Sequence, residues 1–233
     1  MHYMILRRGD RHTERADFPS AELRAAVPGG RWLHPSARGV RMRRRDGVWS
    51  IHEGPFADTR ELVAGFTVIE APSKQEAAEW ASKHWPTADG EGEFTLEVRE
   101  TGCPGGCHGI DTQSAPQLTP VIVLLRSDHQ LEADVMPPVA VIDRMNAANE
   151  AGVKTGMLLA GDGLKGTAKG ARVKFSGGRP SVIDGPFTEI KELIAGFWLL
   201  QVADISEAYD WVRNYPYPFP GDMEVELREV VNA

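Results

Sequence analysis

The chain has 233 residues, of which 42% are hydrophobic and 25% are charged, and its formal net charge is −7. These values are ordinary for a globular protein and leave room for two domains of about 110 residues each. No stretch approaches the roughly 18 apolar residues that span a bilayer, the first apolar run is too short for a signal peptide, and two cysteines do not make a secreted disulfide scaffold, so we expect a cytoplasmic protein without a membrane partner.

The first half of the chain predicts an alternation of strands and helices. Ser20 is placed to cap a brief helix at 21–26. Asp46-Gly47 is a strong hairpin signal because both residues tolerate positive φ. The basic run at 41–45 is typical of a solvated hairpin, so we expect no nucleic acid as a partner. The predicted strands are residues 3–6, 40–45, 48–52, 62–70 and 94–99, and a second helix is predicted at 73–84.

Residues 53–66 recur, with changes, as residues 184–197. Eight of the fourteen positions are identical, whereas about one identity would be expected by chance. The second half of the chain is therefore a duplicate of the first. When Leu6-Arg7 is aligned with Leu125-Arg126, the first half lacks about twelve residues near its first helix. We expect that helix to be cut down, which would open space beside the sheet or remove one wall of a pocket.

Two nearly continuous apolar segments, 62–70 and 193–202, are typical of strands that are buried on both faces. Helices of the same half can cover one face, so the other face requires another partner. Composition divides the chain into a first repeat at 1–101, a linker rich in Cys, Gly and Pro at 102–119, and a second repeat at 120–233. We predict an α+β fold of two ferredoxin-like βαββαβ repeats, each with an extra hairpin, whose bare sheet faces pack together.

The duplicated motif resembles the signature of a known family. Residues 184–187, Asp-Gly-Pro-Phe, are followed by Lys191-Glu192 and by Ala-Gly-Phe at 195–197, which resembles the YCII-related, or DGPF, proteins, a family of small dimeric α/β-barrel domains. The resemblance covers nearly the whole second half, and in the first half Glu53 replaces the signature aspartate. It implies that the two repeats form within one chain the pseudo-dimeric α/β barrel that family members form from two chains. The protein would then be a monomer with an internal pseudo-dimer, or a higher homo-oligomer.

The acidic residue of the signature, Asp184 or Glu53, lies where a hairpin strand meets a Gly-Pro turn. Such a carboxylate could act as a general base or hold a substrate cation, and Glu192 lies near enough in sequence to shift its pKa. The alternative is that the side chain only caps the amides of the turn.

Two histidines, His52 and His129, are candidates for acid–base chemistry. The resemblance implies a His and Asp pair in the barrel interior, as in some YCII-related enzymes. His52 adjoins Glu53, but neighbours on a strand point to opposite faces, so the two do not easily share a site. An exposed or core histidine is the alternative. Asp128-His129 follows a central strand, at the end where open α/β sheets often place sites, and an ordinary loop is again the alternative.

Cys103, Cys107 and His108 form the most unusual local sequence of the linker. Two thiols and an imidazole could supply three ligands to Zn²⁺, with the fourth from elsewhere, or the two cysteines could form a redox-labile disulfide. A plain linker is the third alternative. No other cofactor is predicted.

Two functional hypotheses follow from these features. The first is a cytoplasmic small-molecule enzyme that uses carboxylate and histidine groups for proton transfer. The second is a non-catalytic ligand-binding or regulatory module with a duplicated barrel. An enzyme would concentrate polar groups around one cavity, whereas a structural duplicate would fill both repeats with apolar side chains.

Overall fold

The computed structural model describes residues 1–86, 92–102 and 114–231. Over these residues the fold is α+β, with two six-stranded antiparallel sheets. None of the helices in the described ranges is both long enough and apolar enough to cross a bilayer.

The two halves of the chain contain matching elements. The first half has β1 (His2–Arg8), α1 (Ala21–Ala26), β2 (Arg31–Trp32), β3 (Gly39–Arg45), β4 (Val48–Glu53), β5 (Val63–Glu70), α2 (Lys74–His84) and β6 (Glu93–Glu100). The second half has β7 (Thr119–Arg126), α3 (His129–Glu132), α4 (Val139–Lys154), β8 (Leu158–Gly163), β9 (Ala171–Ser176), β10 (Arg179–Asp184), β11 (Ile194–Val202), α5 (Ile205–Asn214) and β12 (Met223–Glu229).

Each sheet is built from both halves of the chain. The strand orders are β10-β9-β6-β1-β5-β2 and β4-β3-β12-β7-β11-β8. The predicted extra hairpin is therefore present in each repeat, but it extends the sheet of the other repeat. Glu97 of β6 lies opposite Arg172 of β9, and Glu226 of β12 lies opposite Arg41 of β3. Each exchanged hairpin thus brings an arginine to a buried glutamate of the sheet that it joins.

The faces of the two sheets that carry no helices share one apolar core. This core includes Phe66 of β5 and Phe197 of β11, whose ring centroids are 6.3 Å apart. The outer faces are covered by helices, with α2 against β6 and β9, α4 against β8, and α5 against β11. Burial from both sides explains why β5 and β11 are continuous apolar runs instead of alternating ones.

The first helix differs most between the repeats. The α1 helix has 6 residues, and its match α4 has 16. Space beside the first sheet does not open as expected, because Phe18, Trp32 and Trp85 fill it. The ring of Trp32 lies 5.5 Å from that of Phe18 and 5.5 Å from that of Trp85, measured between centroids.

Strand pairing corrects the sequence alignment of the first strands by one residue. Arg8 lies opposite Val63, and Arg126 lies opposite Ile194. Since Val63 and Ile194 hold matching positions in the duplicated motif, Arg8 and not Arg7 corresponds to Arg126. The aligned Leu-Arg pairs were misleading because β1 ends in two arginines and β7 in one.

Candidate functional site

A cleft of about 110 Å³ opens in the second repeat between the sheet and the segment that carries α3 and α4. Most of its wall is apolar. Trp198 of β11 forms the floor together with Tyr215, at a ring separation of 4.5 Å between centroids. Further apolar side chains come from Leu125, Leu131, Met136, Met145 and Pro218.

Glycines of β8 make room for this cleft. A Cβ atom at Gly161 would lie 2.9 Å from Cδ1 of Trp198, so only glycine lets the indole lie against the strand. In the second repeat, Gly163 lies opposite Gly196. The matching pair in the first repeat is Trp32, which lies opposite Gly65. The tryptophan that fills the first repeat is therefore replaced by a glycine in the second.

Polar groups of the cleft gather near the end of β8. They are Asp162, Lys165 and Asp134, with Asn149 on α4. The Asp162 carboxylate accepts hydrogen bonds from the amides of Gly163, at 2.8 Å, and Gly102, at 2.9 Å. These bonds hold the carboxylate against the backbone, and because Asp162 pairs with Phe197, its side chain points to the face of the sheet opposite Gly161 and Trp198.

The Asp134 carboxylate is held by two donors. The Gly166 amide donates to it at 2.7 Å, and Lys169 Nζ lies 2.7 Å away. Burial alone would raise the pKa of Asp134, but these two hydrogen bonds outweigh burial and hold its pKa below the ordinary value. Asp134 therefore stays ionised at neutral pH.

Sequence reasoning did not single out Asp162, Lys165 or Asp134. A readable signal was present, since Asp162-Gly163 and Lys165-Gly166 follow the apolar residues 157–160 in the sequence. Charged residues followed by glycine at a strand end are typical of the loops that carry binding groups.

The signature acids and His52 lie on exposed edge strands. Glu53 and His52 belong to β4, and Asp184 belongs to β10. Asp184 forms an ion pair with Lys74 of α2, and the His52 ring contacts the Ser50 hydroxyl at 3.1 Å. Their strands are the outermost strands of their sheets, away from the cleft lining.

Asp128 and His129 begin α3. The Asp128 carboxylate accepts hydrogen bonds from the amides of Gln130 and Leu131, both at 2.8 Å, and so caps the helix. His129 is exposed, and Leu131 of the same turn lines the cleft. In the described ranges, no hydrogen bond or ion pair joins any two of the six predicted acid–base residues.

The sixth of these residues, Glu192, belongs to a group of charged side chains that we call the first cluster: Arg8, Glu97, Arg99, Arg172 and Glu192. Arg172 donates to the Glu97 carboxylate at 3.1 Å and to Glu192 at 3.3 Å, and Arg99 donates to Glu97 at 2.9 Å. Glu97 is fully buried. Burial raises its pKa, but Arg8, Arg99 and Arg172 outweigh burial, so the pKa lies below the ordinary value.

A matching second cluster contains Arg41, Glu61, Arg126, Glu226 and Arg228. The buried Glu226 carboxylate accepts hydrogen bonds from Arg126 at 2.6 Å, Arg41 at 3.0 Å and Arg228 at 3.0 Å. Burial would raise the pKa of Glu226, but the three guanidinium groups lower it to about 2. Because each cluster joins strands from both repeats, the clusters hold the exchanged hairpins in place.

Cys103, Cys107 and His108, the predicted metal ligands, lie outside the described residues. Within the described ranges, no group of three or more His, Cys, Asp or Glu side chains is arranged to hold a metal ion. The zinc, disulfide and plain-linker alternatives all remain predictions.

Two matching α+β halves with exchanged hairpins define a tandem duplicate of one small domain. The family model of the YCII-related domain matches residues 1–100 and again residues 121–231. The chain therefore belongs to the YCII-related family, which confirms the resemblance seen in the sequence. It is also similar to an uncharacterized protein of Rhizobium meliloti (strain 1021), with 37% identity over 62 residues. That match covers 27% of this chain and 50% of the relative, so the chain spans about half the length of the curated relative.

Proposed function

We propose that this YCII-related protein binds a small molecule in the cleft of its second repeat and acts in the cytoplasm as a ligand-binding module. In this proposal, residues 1–101 and 120–233 are the two repeats, joined by a linker at 102–119, and they close as an intramolecular pseudo-dimeric barrel. The observation that carries the proposal is the unequal filling of the repeats. Trp32 occupies the place in the first repeat that Gly163 leaves open in the second.

The shape and lining of the cleft indicate the kind of ligand. A volume of about 110 Å³ is of the same order as an apolar cavity that takes up one benzene ring. The apolar wall around Trp198 favours a flat ring, and the Asp134 carboxylate favours a ligand with a hydrogen-bond donor or a positive charge. Lys165 at the same end could pair with an anionic substituent.

Acid–base catalysis is the second candidate function. One observation favours it, which is that Asp134 lies among the lining residues of an otherwise mostly apolar cleft. A carboxylate at the edge of an apolar site can accept a proton from a bound substrate. His129 and Asp128, which begin α3 next to the cleft-lining Leu131, would take part only if the substrate extends toward that turn.

Ligand binding is tested with phenol, aniline and benzoate as probes, followed by saturation-transfer NMR on the full chain. We expect at least one probe to bind the wild type and to lose binding in the Gly163→Trp variant, because the new indole occupies the cleft as Trp32 does in the first repeat. The matched control is Gly92→Trp, just before β6, where an added Cβ meets nothing within 4 Å and which does not line the cleft. Binding that is equal in the wild type and Gly163→Trp, or absent for all three probes, contradicts the proposal.

Catalysis is tested separately by deuterium exchange. Aromatic ketones are incubated with the protein in D₂O, and NMR follows exchange at the carbon next to the carbonyl. The enzyme hypothesis predicts that Asp134→Asn lowers the rate of exchange by a larger factor than it weakens probe binding. Binding without exchange supports the ligand-binding module.

A further inference from the structure

The two charged clusters differ at one strand position. In the second cluster, Glu224 of β12 lies opposite Arg43, and in the first cluster the corresponding Thr95 of β6 lies opposite Lys174. The Glu224 carboxylate forms an ion pair with Arg43 and lies 3.8 Å from Arg41. Thr95 brings no charge to the matching place.

Glu224 also helps to balance Arg126. Its carboxylate lies 3.8 Å from Arg126 Nε, and Glu226 lies 2.6 Å from Arg126 Nη2. The corresponding Arg8 donates to backbone carbonyl groups of Arg60 at 2.7 Å and Glu192 at 2.6 Å. Its Nη1 atom is buried and has no hydrogen-bond partner among the described residues.

Arg8 is consequently a buried cation without a carboxylate in direct contact among the described ion pairs. Burial lowers its pKa, and the nearby charges of Glu97 and Glu192 do not restore the ordinary value. Arg41 in the second cluster shows the opposite balance: burial lowers its pKa, but Glu226, Glu224 and Glu61 raise it above the ordinary value. The first cluster therefore lacks one negative charge that its match contains.

A cleft of about 330 Å³ opens beside Arg8 and Arg172 of the first cluster. Its cationic lining consists of Arg7, Arg8, Arg60, Arg172 and Lys174.

Three acids also line the cleft, and each is already engaged. Asp10 pairs with Arg7 at 2.7 Å, and Glu192 pairs with Arg172 at 3.3 Å. Glu93, at the exposed rim, accepts a hydrogen bond from Ser176 at 2.8 Å and lies 3.6 Å from Lys174 Nζ. Beyond the lining, Arg60 pairs with Asp58 at 3.0 Å and Arg172 pairs with the buried Glu97 at 3.1 Å. Among the described ion pairs, Arg8 is therefore the cation of this lining that has no carboxylate in direct contact.

We propose that this cleft binds the oxyanion group of a small molecule, a carboxylate or a phosphate, at the place that the Glu224 carboxylate holds in the second repeat. Arg172, Lys174 and Arg8 correspond to Arg41, Arg43 and Arg126, the three arginines beside the Glu224 carboxylate. Guanidinium and ammonium groups are the side chains that bind both kinds of oxyanion. This site lies where the exchanged strand β9 joins the sheet of the first repeat, and it is separate from the apolar cleft of the second.

The test is calorimetric titration of the full chain with inorganic phosphate and, separately, with acetate, at one ionic strength that is held constant with sodium chloride. We expect saturable binding of at least one anion, and the stronger of the two identifies the chemical source. Thr95→Glu places the missing carboxylate in the site and should weaken binding at least about tenfold, since it competes for the same donors. Thr95→Gln introduces a side chain of the same size as glutamate but without its charge. This variant should bind the anion with an affinity within about twofold of the wild type.

A second pair of variants tests the proposal even if Thr95→Glu does not fold. Lys174→Gln removes a cation from the cleft and should weaken binding about fivefold, whereas Arg43→Gln at the matching position should leave it unchanged. The proposal is overturned if the wild type binds neither anion saturably. It is also overturned if Thr95→Glu and Thr95→Gln bind equally, or if Lys174→Gln and Arg43→Gln do.

Discussion

The two repeats keep the same strands and the same buried charge pairs, but they use the space around their sheets differently. In the first repeat, Trp32 fills the place beside the sheet, and in the second repeat Gly163 leaves it open. At the charged clusters the second repeat is the one that is filled. Glu224 occupies a place in the second cluster that Thr95 leaves open in the first cluster. A duplicated fold can therefore offer two different sites through single substitutions at matching positions.

The buried charge pairs that both repeats contain also join the repeats to each other. Glu97 and Glu226 are fully buried and each pairs with arginines from both repeats. Removing one partner from such a pair leaves a buried charge without compensation, which is costly. We infer that these positions tolerate little change, whereas the surroundings of Trp32 and Gly163 are free to differ.

The largest expected effect comes from Glu226→Gln. Three arginines contact this carboxylate, and the neutral amide leaves their charges unbalanced. We expect a loss of roughly 4 kcal/mol in the free energy of unfolding, measured by urea denaturation. Glu97→Gln is the matched control and should cost less, because two arginines donate to Glu97. An equal loss of unfolding free energy in the two variants, or a greater loss in Glu97→Gln, would contradict the prediction that the second cluster stabilises the fold more.

Trp32→Ala should have the next largest effect. The indole is 3% exposed and packs against Phe18 and Trp85, so its truncation should cost roughly 3 kcal/mol. Trp198→Ala in the second repeat should cost less, since that ring already borders an open cleft. Thermal unfolding of both variants checks this order, and a greater loss for Trp198→Ala would show that the second cleft is packed as tightly as the first.

A smaller effect is expected from pH. The folded-state pKa of Glu226 is about 2, below its ordinary value of 4.5. A carboxyl with a lowered pKa stabilises the fold above its unfolded-state pKa, and this contribution disappears as the pH falls toward the folded-state pKa. Between pH 5.5 and pH 3 we expect the wild type to lose about 2 kcal/mol through this group. Urea denaturation across that range should show a shallower decline in Glu226→Gln; parallel curves would mean that another group causes the loss.

The duplicated fold could be predicted from the sequence because residues 53–66 recur as residues 184–197 with eight of fourteen positions identical. Exchange of the hairpins could not be predicted. Arg41 and Arg172 hold matching positions, as do Glu97 and Glu226, so pairing within a repeat and pairing between repeats satisfy the sequence equally well.

The candidate site was predicted less completely. The signature acids attracted attention because they are part of the repeated motif, but Asp184 and Glu53 lie on exposed edge strands. The shortened α1 suggested space in the first repeat, and aromatic side chains fill that space instead. Residues 94–99 were predicted as a strand, but charged residues usually face water, so the burial of Glu97 and Arg99 against the other repeat could not be predicted.

The most direct test of unequal repeats is a crystal structure of the full chain soaked with the aromatic probe that binds most strongly. The account predicts density for the ring beside Trp198 in the second repeat and none beside Trp32 in the first. Density beside Trp32, or equal density in both repeats, would contradict it.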